Sequence, residues 1–323
     1  MSPALDSPKA QTPSLPAIAC PVCCGVIDGV VPAAKPMSAA KFDDCLRRCE
    51  KCGVGVSNTR GENPTFIYRD PLANIPAEAR SGALLVLGQA LNVHSRISKL
   101  RRFGFSTSED AITWVVFSYL LTSGRLVAAL GNAGILPSAT TDVSPTLLLW
   151  GCPLGNQPRG RMIAEQLATL CNDLGEDNKR RSEPDVVVDL GESGLIFIEV
   201  KHQSGNDRLP PDSPKWSRYS SAGQLQWRYD EVKQSGCYEL ARNWCLMKGL
   251  AGSRPGTLVN LGPSRLFAGS EGVRLDRFAR SLNADEQCRF QRLTWTDFLR
   301  SVIDITPDWF TRFCSEDRHL FER

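Results

Sequence analysis

The stretch Glu183-Pro184-Asp185-Val186-Val187-Val188-Asp189-Leu190-Gly191-Glu192-Ser193-Gly194-Leu195-Ile196-Phe197-Ile198-Glu199-Val200-Lys201 decides how this chain folds. Two runs rich in β-branched and large apolar residues flank Gly191-Glu192-Ser193-Gly194, a pattern that predicts a β-hairpin. A three-residue loop over Gly191 to Ser193, closed by Leu190 opposite Gly194, sets the register. Counting outward along both strands then places Asp185 opposite Glu199, with Cβ atoms about 5 Å apart. Side chains alternate along a strand, so Glu199 and Lys201 share one face with Asp185 while Ile198 and Val200 point into the other layer. Two carboxylates and an ammonium converge.

Such a group suits hydrolysis of a phosphodiester. Asp185 and Glu199 would hold Mg²⁺ against a non-bridging oxygen, and Lys201 would orient the attacking water and offset developing negative charge. The plain alternative is a cross-strand ion pair on a solvated edge, worth less than about 1 kcal/mol. The apolar strands on either side argue for burial instead.

Pro184-Asp185, thirteen intervening residues and Glu199-Val200-Lys201 resemble the signature of the PD-(D/E)XK nuclease superfamily, which includes restriction and repair enzymes. The resemblance covers roughly residues 85 to 300. It implies an α/β fold: a restriction-endonuclease-like mixed β-sheet flanked by helices. It also implies a Mg²⁺-dependent DNA endonuclease acting in restriction or anti-phage defence. Ser108 to Trp114 and Leu293 to Asp297 loosely resemble the opening helix and closing segment of one bacterial branch. The superfamily often adds a carboxylate from a preceding helix, and Glu109 is the candidate, because it falls within the apolar stripe of Ile112, Val115, Val116, Tyr119 and Leu120. Glu109 has an equally simple reading as the third position of a capping box begun by Ser106. Glu165 lies opposite Ile163, Leu167, Leu170 and Leu174 on its helix and faces water. Gln224 and Gln226 lack the spacing to Tyr229 found in recombination-type nucleases, so no role is carried over to them. A non-catalytic adaptor that binds nucleic acid or protein is the competing function; it has no evident use for the Asp185, Glu199, Lys201 triplet.

The chain has 323 residues, 42% hydrophobic and 23% charged, which suits ordinary folded domains rather than a disordered tail. Its formal charge of +3 is too close to neutral for indiscriminate coating of nucleic acid, so DNA, the expected partner, would need local basic patches. Candidate phosphate contacts are Arg101 and Arg102, with Arg96 and Lys99, before the Glu109 helix, Arg161 (with Arg159) opening the next, and Lys179-Arg180-Arg181 leading into the Asp185 strand. A homodimer or a defence-system partner protein is the expected assembly. The apolar run from Ala111 to Leu121 falls short of the ~20 residues a membrane span needs, so no membrane association is expected. No secretory segment is read at the start, and a cytoplasmic location follows.

Six of the twelve cysteines fall between Cys20 and Cys52. Cys20-Pro-Val-Cys23 and Cys49-Glu-Lys-Cys52 are two tight turns whose spacing offers four thiolates to one tetrahedral Zn²⁺, with Cys24 and Cys45 as second choices. The module resembles a zinc ribbon, in which the metal is structural. The expected organisation is a flexible leader over 1–18, the ribbon over 19–60, a proline-containing linker over 61–80 and the nuclease-like body over 81–323. Helices are expected at 222–235 and 238–249, a strand at 257–262, and a terminal helical segment holding Trp309 and Phe310. The other six cysteines, with Trp216, Tyr219 and Trp227, read as core.

Overall fold

The computed structural model describes residues 14–60, 63–136, 144–177, 179–220, 227–282 and 288–321. The chain forms two compact units, one of Met1–Asn74 with Gly104–Thr107, the other of Ile75–Phe103 with Ser108–Arg323.

In the first unit β1 (Ile18–Ala19) pairs antiparallel with β2 (Val26–Ile27). A second antiparallel sheet runs β3 (Arg47–Cys49), β4 (Val54–Val56), β5 (Phe66–Tyr68). Its small core is Ile27, Val54 and Val56 around the cysteines. Two expected boundaries shift. Leu15, assigned to a flexible leader, is fully buried and exchanges backbone hydrogen bonds with Val30 at 2.7 and 2.9 Å. Phe66–Tyr68, inside the expected linker, is a strand paired with β4, and Ile67 bridges to Phe105. Pro64 and Pro71 flank this three-residue strand, too short to show a period, and so hide it.

The second unit holds a six-stranded mixed sheet, in the order β11–β10–β9–β8–β6–β7. Its strands are β6 (Thr146–Leu149), β7 (Cys152–Pro153), β8 (Val186–Asp189), β9 (Leu195–Val200), β10 (Gly256–Gly262) and β11 (Cys288–Thr294). Strands β9, β10 and β11 run parallel; β8, β6 and β7 complete the sheet antiparallel. The helices of this unit begin with α1 (Ala83–Gln89), α2 (Arg96–Phe103), α3 (Glu109–Thr122), α4 (Leu126–Asn132) and α5 (Pro158–Asp173). They continue with α6 (Ser217–Ser220), α7 (Tyr229–Ser235), α8 (Tyr238–Ala251), α9 (Gly269–Ser281), α10 (Trp295–Leu299) and α11 (Asp308–Arg312). No single helix among the described residues is long and apolar enough to cross a membrane.

Every residue of β8 and β9 is buried, which explains their continuous Val/Ile/Phe composition: a sheet covered on both faces has no polar side to alternate with. Val187, Leu195 and Phe197 pack with Ile163 and Leu167 of α5 and Leu240, Ala241 and Trp244 of α8. Trp216 and Tyr219 are fully buried, and Cys152, Cys171, Cys237, Cys245, Cys288 and Cys314 are buried thiols. The expected helix at 238–249 is α8, the strand at 257–262 is β10, and Trp309 and Phe310 lie in α11. Of the helix expected at 222–235 the structure describes α7; Gln224, Leu225 and Gln226 lie outside the described residues.

The β8–β9 register is Val186 with Ile198, Val187 with Phe197 and Asp189 with Leu195, and Leu190 N–H donates to Gly194 O (2.9 Å). Continued by one residue it sets Asp185 against Glu199. At the other end of β8, Asp189 is fully buried and ion-paired with Arg159 and with Arg254, the latter at 2.6 Å. Arg254 also donates to Gly191 O (3.0 Å), tying the turn to the end of α8. This corrects the placement of one basic group: Arg159 and Arg161 begin α5 at the Asp189 end, about 13 Å of strand away from Asp185. Arg161 itself is exposed and bonds Asn156.

Removing the Asp189 carboxylate leaves two guanidinium groups against a buried gap. Asp189→Ala is expected to cost about 3 kcal/mol of stability, read as a lower urea midpoint. A midpoint unchanged from the parent protein would show that the turn is held by the glycines alone.

Candidate functional site

Asp185, Glu199 and Lys201 meet where β8 begins and β9 ends. Val200 N–H donates to Asp185 Oδ2 (2.8 Å), which turns the aspartate carboxylate toward the end of β9. Glu199 is buried; its Oε1 lies 2.7 Å from Lys201 Nζ, and its Oε2 accepts from Asn243 Nδ2 (2.7 Å). The lysine ammonium also contacts Glu239 Oε2 at 2.9 Å. Glu239 and Asn243 are one turn apart on α8, so one face of that helix grips both ionic side chains of the strand end. The position is further fixed by Trp295, whose Nε1–H donates to Lys201 O (3.0 Å), and by Gly262, where a Cβ would stand 3.4 Å from Lys201 Cβ.

A second charged group adjoins Asp185. Lys99 of α2 ion-pairs with Asp110 (3.0 Å) and Glu183 (3.4 Å) and lies 5.1 Å from the ring centre of Trp150. Glu183 accepts from Asn92 N–H (2.7 Å). Trp150 N–H donates to Asp185 O (3.1 Å), and Trp150 adopts a positive φ of 52°, a strained value for a large side chain.

The electrostatics follow from burial. Desolvation, and then the charge of Glu199, push the Asp185 carboxyl well above its ordinary value. Burial raises Glu199 too, with Lys201 opposing the rise. Burial disfavours the Lys201 ammonium, but Glu199 and Glu239 outweigh it and hold the pKa far above that of a free lysine. For Glu239 burial is overcome by Lys201 and Arg242, and the carboxyl stays below its usual range. A buried acid beside a half-buried one whose carboxyl it raises forms a donor pair suited to a shared hard cation, because oxygen ligands and unrelieved negative charge are what such ions take.

Glu109 takes a different place. Ser108, not Ser106, caps α3 by accepting from Ala111 N–H (3.2 Å), which makes Glu109 the first residue of the helix. Its Oε1 accepts from His202 N–H (2.6 Å), Ser204 N–H (3.2 Å) and Ser204 Oγ–H (2.8 Å). Glu109 thus clamps the loop that leaves β9. Its neighbour Asp110, not singled out from the sequence, is the α3 carboxylate whose charge reaches Asp185. Glu165 is exposed, and Arg101, Arg102, Lys179 and Arg180 are exposed, with Arg181 half-buried. His94 N–H donates to Lys179 O (3.1 Å), so Lys179 borders the segment leading into α2, which carries Lys99, Arg101 and Arg102. Sequence reasoning also missed Glu183, Glu239 and Asn243. Asn243 left one signal, a lone amide among Leu240, Ala241, Trp244, Cys245, Leu246 and Met247.

In the first unit the sulfur atoms of Cys20, Cys23, Cys49 and Cys52 all lie within 4.8 Å of one another, close enough to hold a metal ion such as zinc. Each pair sits in a hairpin turn, between β1 and β2 or between β3 and β4. Gly53 takes φ +64° and Cys24 φ +57° to close the turns. A backbone N–H of Gly25, then the neighbouring thiols, lower the Cys23 thiol to about 7, while the contact with Cys23 raises Cys52 to about 12 and burial raises Cys20, so one thiolate is favoured among the four. Cys45 is buried elsewhere, its thiol pushed up to about 11 by burial, and Gly55 leaves room for it: a Cβ there would stand 2.5 Å from Cys45 Sγ. No protein-family model, curated protein or solved structure matches the chain.

Two outcomes follow from these geometries. An acid whose folded pKa is raised is bound to its proton more tightly when folded, so its ionisation removes stability as pH rises above the ordinary aspartate value. Asp185→Asn is therefore expected to raise Tm in metal-free buffer at pH 7, with the gain disappearing below about pH 4 where both states are protonated; a lower Tm at pH 7 would contradict the assignment. Metal analysis of the purified chain is expected to give one zinc per protein, lost in Cys49→Ser. Chelation should then expose the amides of β1 to β5 to hydrogen exchange while those of β8 to β10 stay protected.

Proposed function

We propose that this chain is a Mg²⁺-dependent deoxyribonuclease of the PD-(D/E)XK type carrying an N-terminal zinc ribbon, and that it serves in restriction of invading DNA. The observation that carries the reading is the hairpin register, with Asp185 against Glu199 and Lys201 ion-paired to Glu199 at 2.7 Å on the same strand end. Ligands commonly bind in the crevice beyond the carboxyl ends of parallel strands, and β9 and β10 both end here.

The donor set fits the ion. Asp185 Oδ2 accepts only the Val200 amide among the described residues, and Oδ1 accepts none, which leaves oxygen lone pairs for a cation beside Glu199. Bound Mg²⁺ would supply Lewis-acid activation of the scissile phosphate. Asp185 and Glu199 would hold that charge in place, and Val200 N–H orients the aspartate. Lys201, 8% exposed and kept protonated by its two carboxylates, orients the water and faces the negative charge that develops on the phosphate. Exposed Arg101, Arg102, Lys179 and Arg180 are suited to the phosphates of the duplex. Arg161, beginning α5 at the far end of β8, takes no part in that contact near the cut. In the ribbon, zinc would provide most of the folding free energy of so small a core, on the order of 10 kcal/mol.

The test is incubation of plasmid and linear DNA with the protein in Mg²⁺ and in EDTA. Cleavage is expected with Mg²⁺ alone, with Asp185→Ala and Lys201→Ala each lowering it at least about a hundredfold. An inactive parent protein whose DNA binding is unchanged by Lys201→Ala would replace the nuclease with a binding adaptor. Preference for RNA over DNA would retain the chemistry and change the substrate.

A further inference from the structure

Lys201 stands between two carboxylates, Glu199 Oε1 at 2.7 Å and Glu239 Oε2 at 2.9 Å. On the reading just given, a divalent cation and the lysine ammonium claim the same Glu199, and like charges repel. The ammonium cannot escape by swinging into water, because the side chain is 8% exposed and its strand end is held by Trp295. Glu239 comes from α8, 38 residues away in sequence, and its helix is fixed to the same spot by Asn243, which holds Glu199 Oε2. A lysine needed only for an ion pair with Glu199 would not require a second acid. We propose that Glu239 is a positioning residue that draws the Lys201 ammonium to one side of Glu199, so that the ammonium and a divalent cation occupy adjacent places without displacing each other. Glu239 touches neither substrate nor metal in this role; it acts through Lys201.

The inference rests on the Asp185–Glu199 site holding a cation, and the experiment separates the two ideas. Mn²⁺, a paramagnetic stand-in for Mg²⁺ with oxygen-ligand preference, is titrated into the full chain and free ion is followed by electron paramagnetic resonance. Glu239→Gln is expected to weaken binding about tenfold, equivalent to 1.4 kcal/mol, since Lys201 then rests wholly on Glu199. In a Lys201→Met background the same substitution is expected to change binding less than about twofold, the non-additivity that marks two residues acting as one unit. Glu239→Asp keeps the charge but shortens the arm, and should weaken binding in the Lys201 background only; it also serves if Glu239→Gln fails to fold, which thermal melting of each variant reports. Parent-like Mn²⁺ binding by Glu239→Gln would overturn the proposal. Equal losses in both backgrounds would overturn it as well, by showing that Glu239 attracts the cation directly. Absence of Mn²⁺ binding by the folded parent protein, unchanged in Asp185→Asn, would instead bring down the cation site and this inference with it.

Discussion

The register of the β8–β9 hairpin is the constraint on which everything else depends. Because both strands are buried on both faces, hydrophobic patterning does not choose between neighbouring registers, and a slip of one residue would send Asp185 and Glu199 to opposite sides of the sheet. The choice is made at the turn. Gly194 has φ +131°, and a Cβ there would come 2.9 Å from Pro255 O, so no other residue closes the loop without moving β10's approach. Asp189 and Arg254 then fasten the same turn through a buried ion pair and the Gly191 carbonyl. A local steric requirement at one end of a strand thus fixes the chemistry at the other.

At the chemical end the fold gathers more acid than base. Asp110, Glu183, Asp185, Glu199 and Glu239 surround Lys99, Lys201 and Arg242, and the charges of the two groups reach one another. Burying ions costs several kcal/mol each after relaxation, and an apolar strand end would be the more stable construction. A chain that keeps buried Glu199 and four half-buried carboxylates beside a buried lysine is giving up stability at one place, the usual mark of a site selected for something other than folding. The excess negative charge is of the sign that a bound cation would relieve.

What the sequence disclosed was what its short-range chemistry controls. The hairpin partners lie within about fifteen residues, the turn glycines fix their own geometry, and paired Cys-x-x-Cys turns announce themselves by spacing, so Asp185, Glu199, Lys201 and the four cysteines were all legible. The supporting residues were not. Glu239 and Asn243 reach the site from a helix far off in sequence whose local pattern explains them without the site, and Lys99, expected among the phosphate contacts, is instead held in ion pairs with Asp110 and Glu183. Phe66–Tyr68 was hidden for a different reason: three residues between prolines carry too little periodicity to read as a strand. Glu109 was misread by its cap. With Ser108 rather than Ser106 at the N-cap, it begins the helix instead of ending its first turn.

That shift gives Glu109 a clear mechanical meaning. A carboxylate at the start of α3 sits in the favourable field of the helix N-terminus, and there it receives the backbone N–H groups of His202 and Ser204, which have just left the sheet. Trp295, at the start of α10, takes up the Lys201 carbonyl from another direction. The residue after the lysine is thereby tied down where chain beyond a strand end is usually free, and a four-carbon side chain with many rotamers is mounted on backbone held from two directions. For a lysine asked to hold its ammonium at a defined place among three carboxylates, rigidity of the peptide matters as much as the ion pairs themselves, since each ångström of backbone drift would have to be recovered by the side chain against its own entropy.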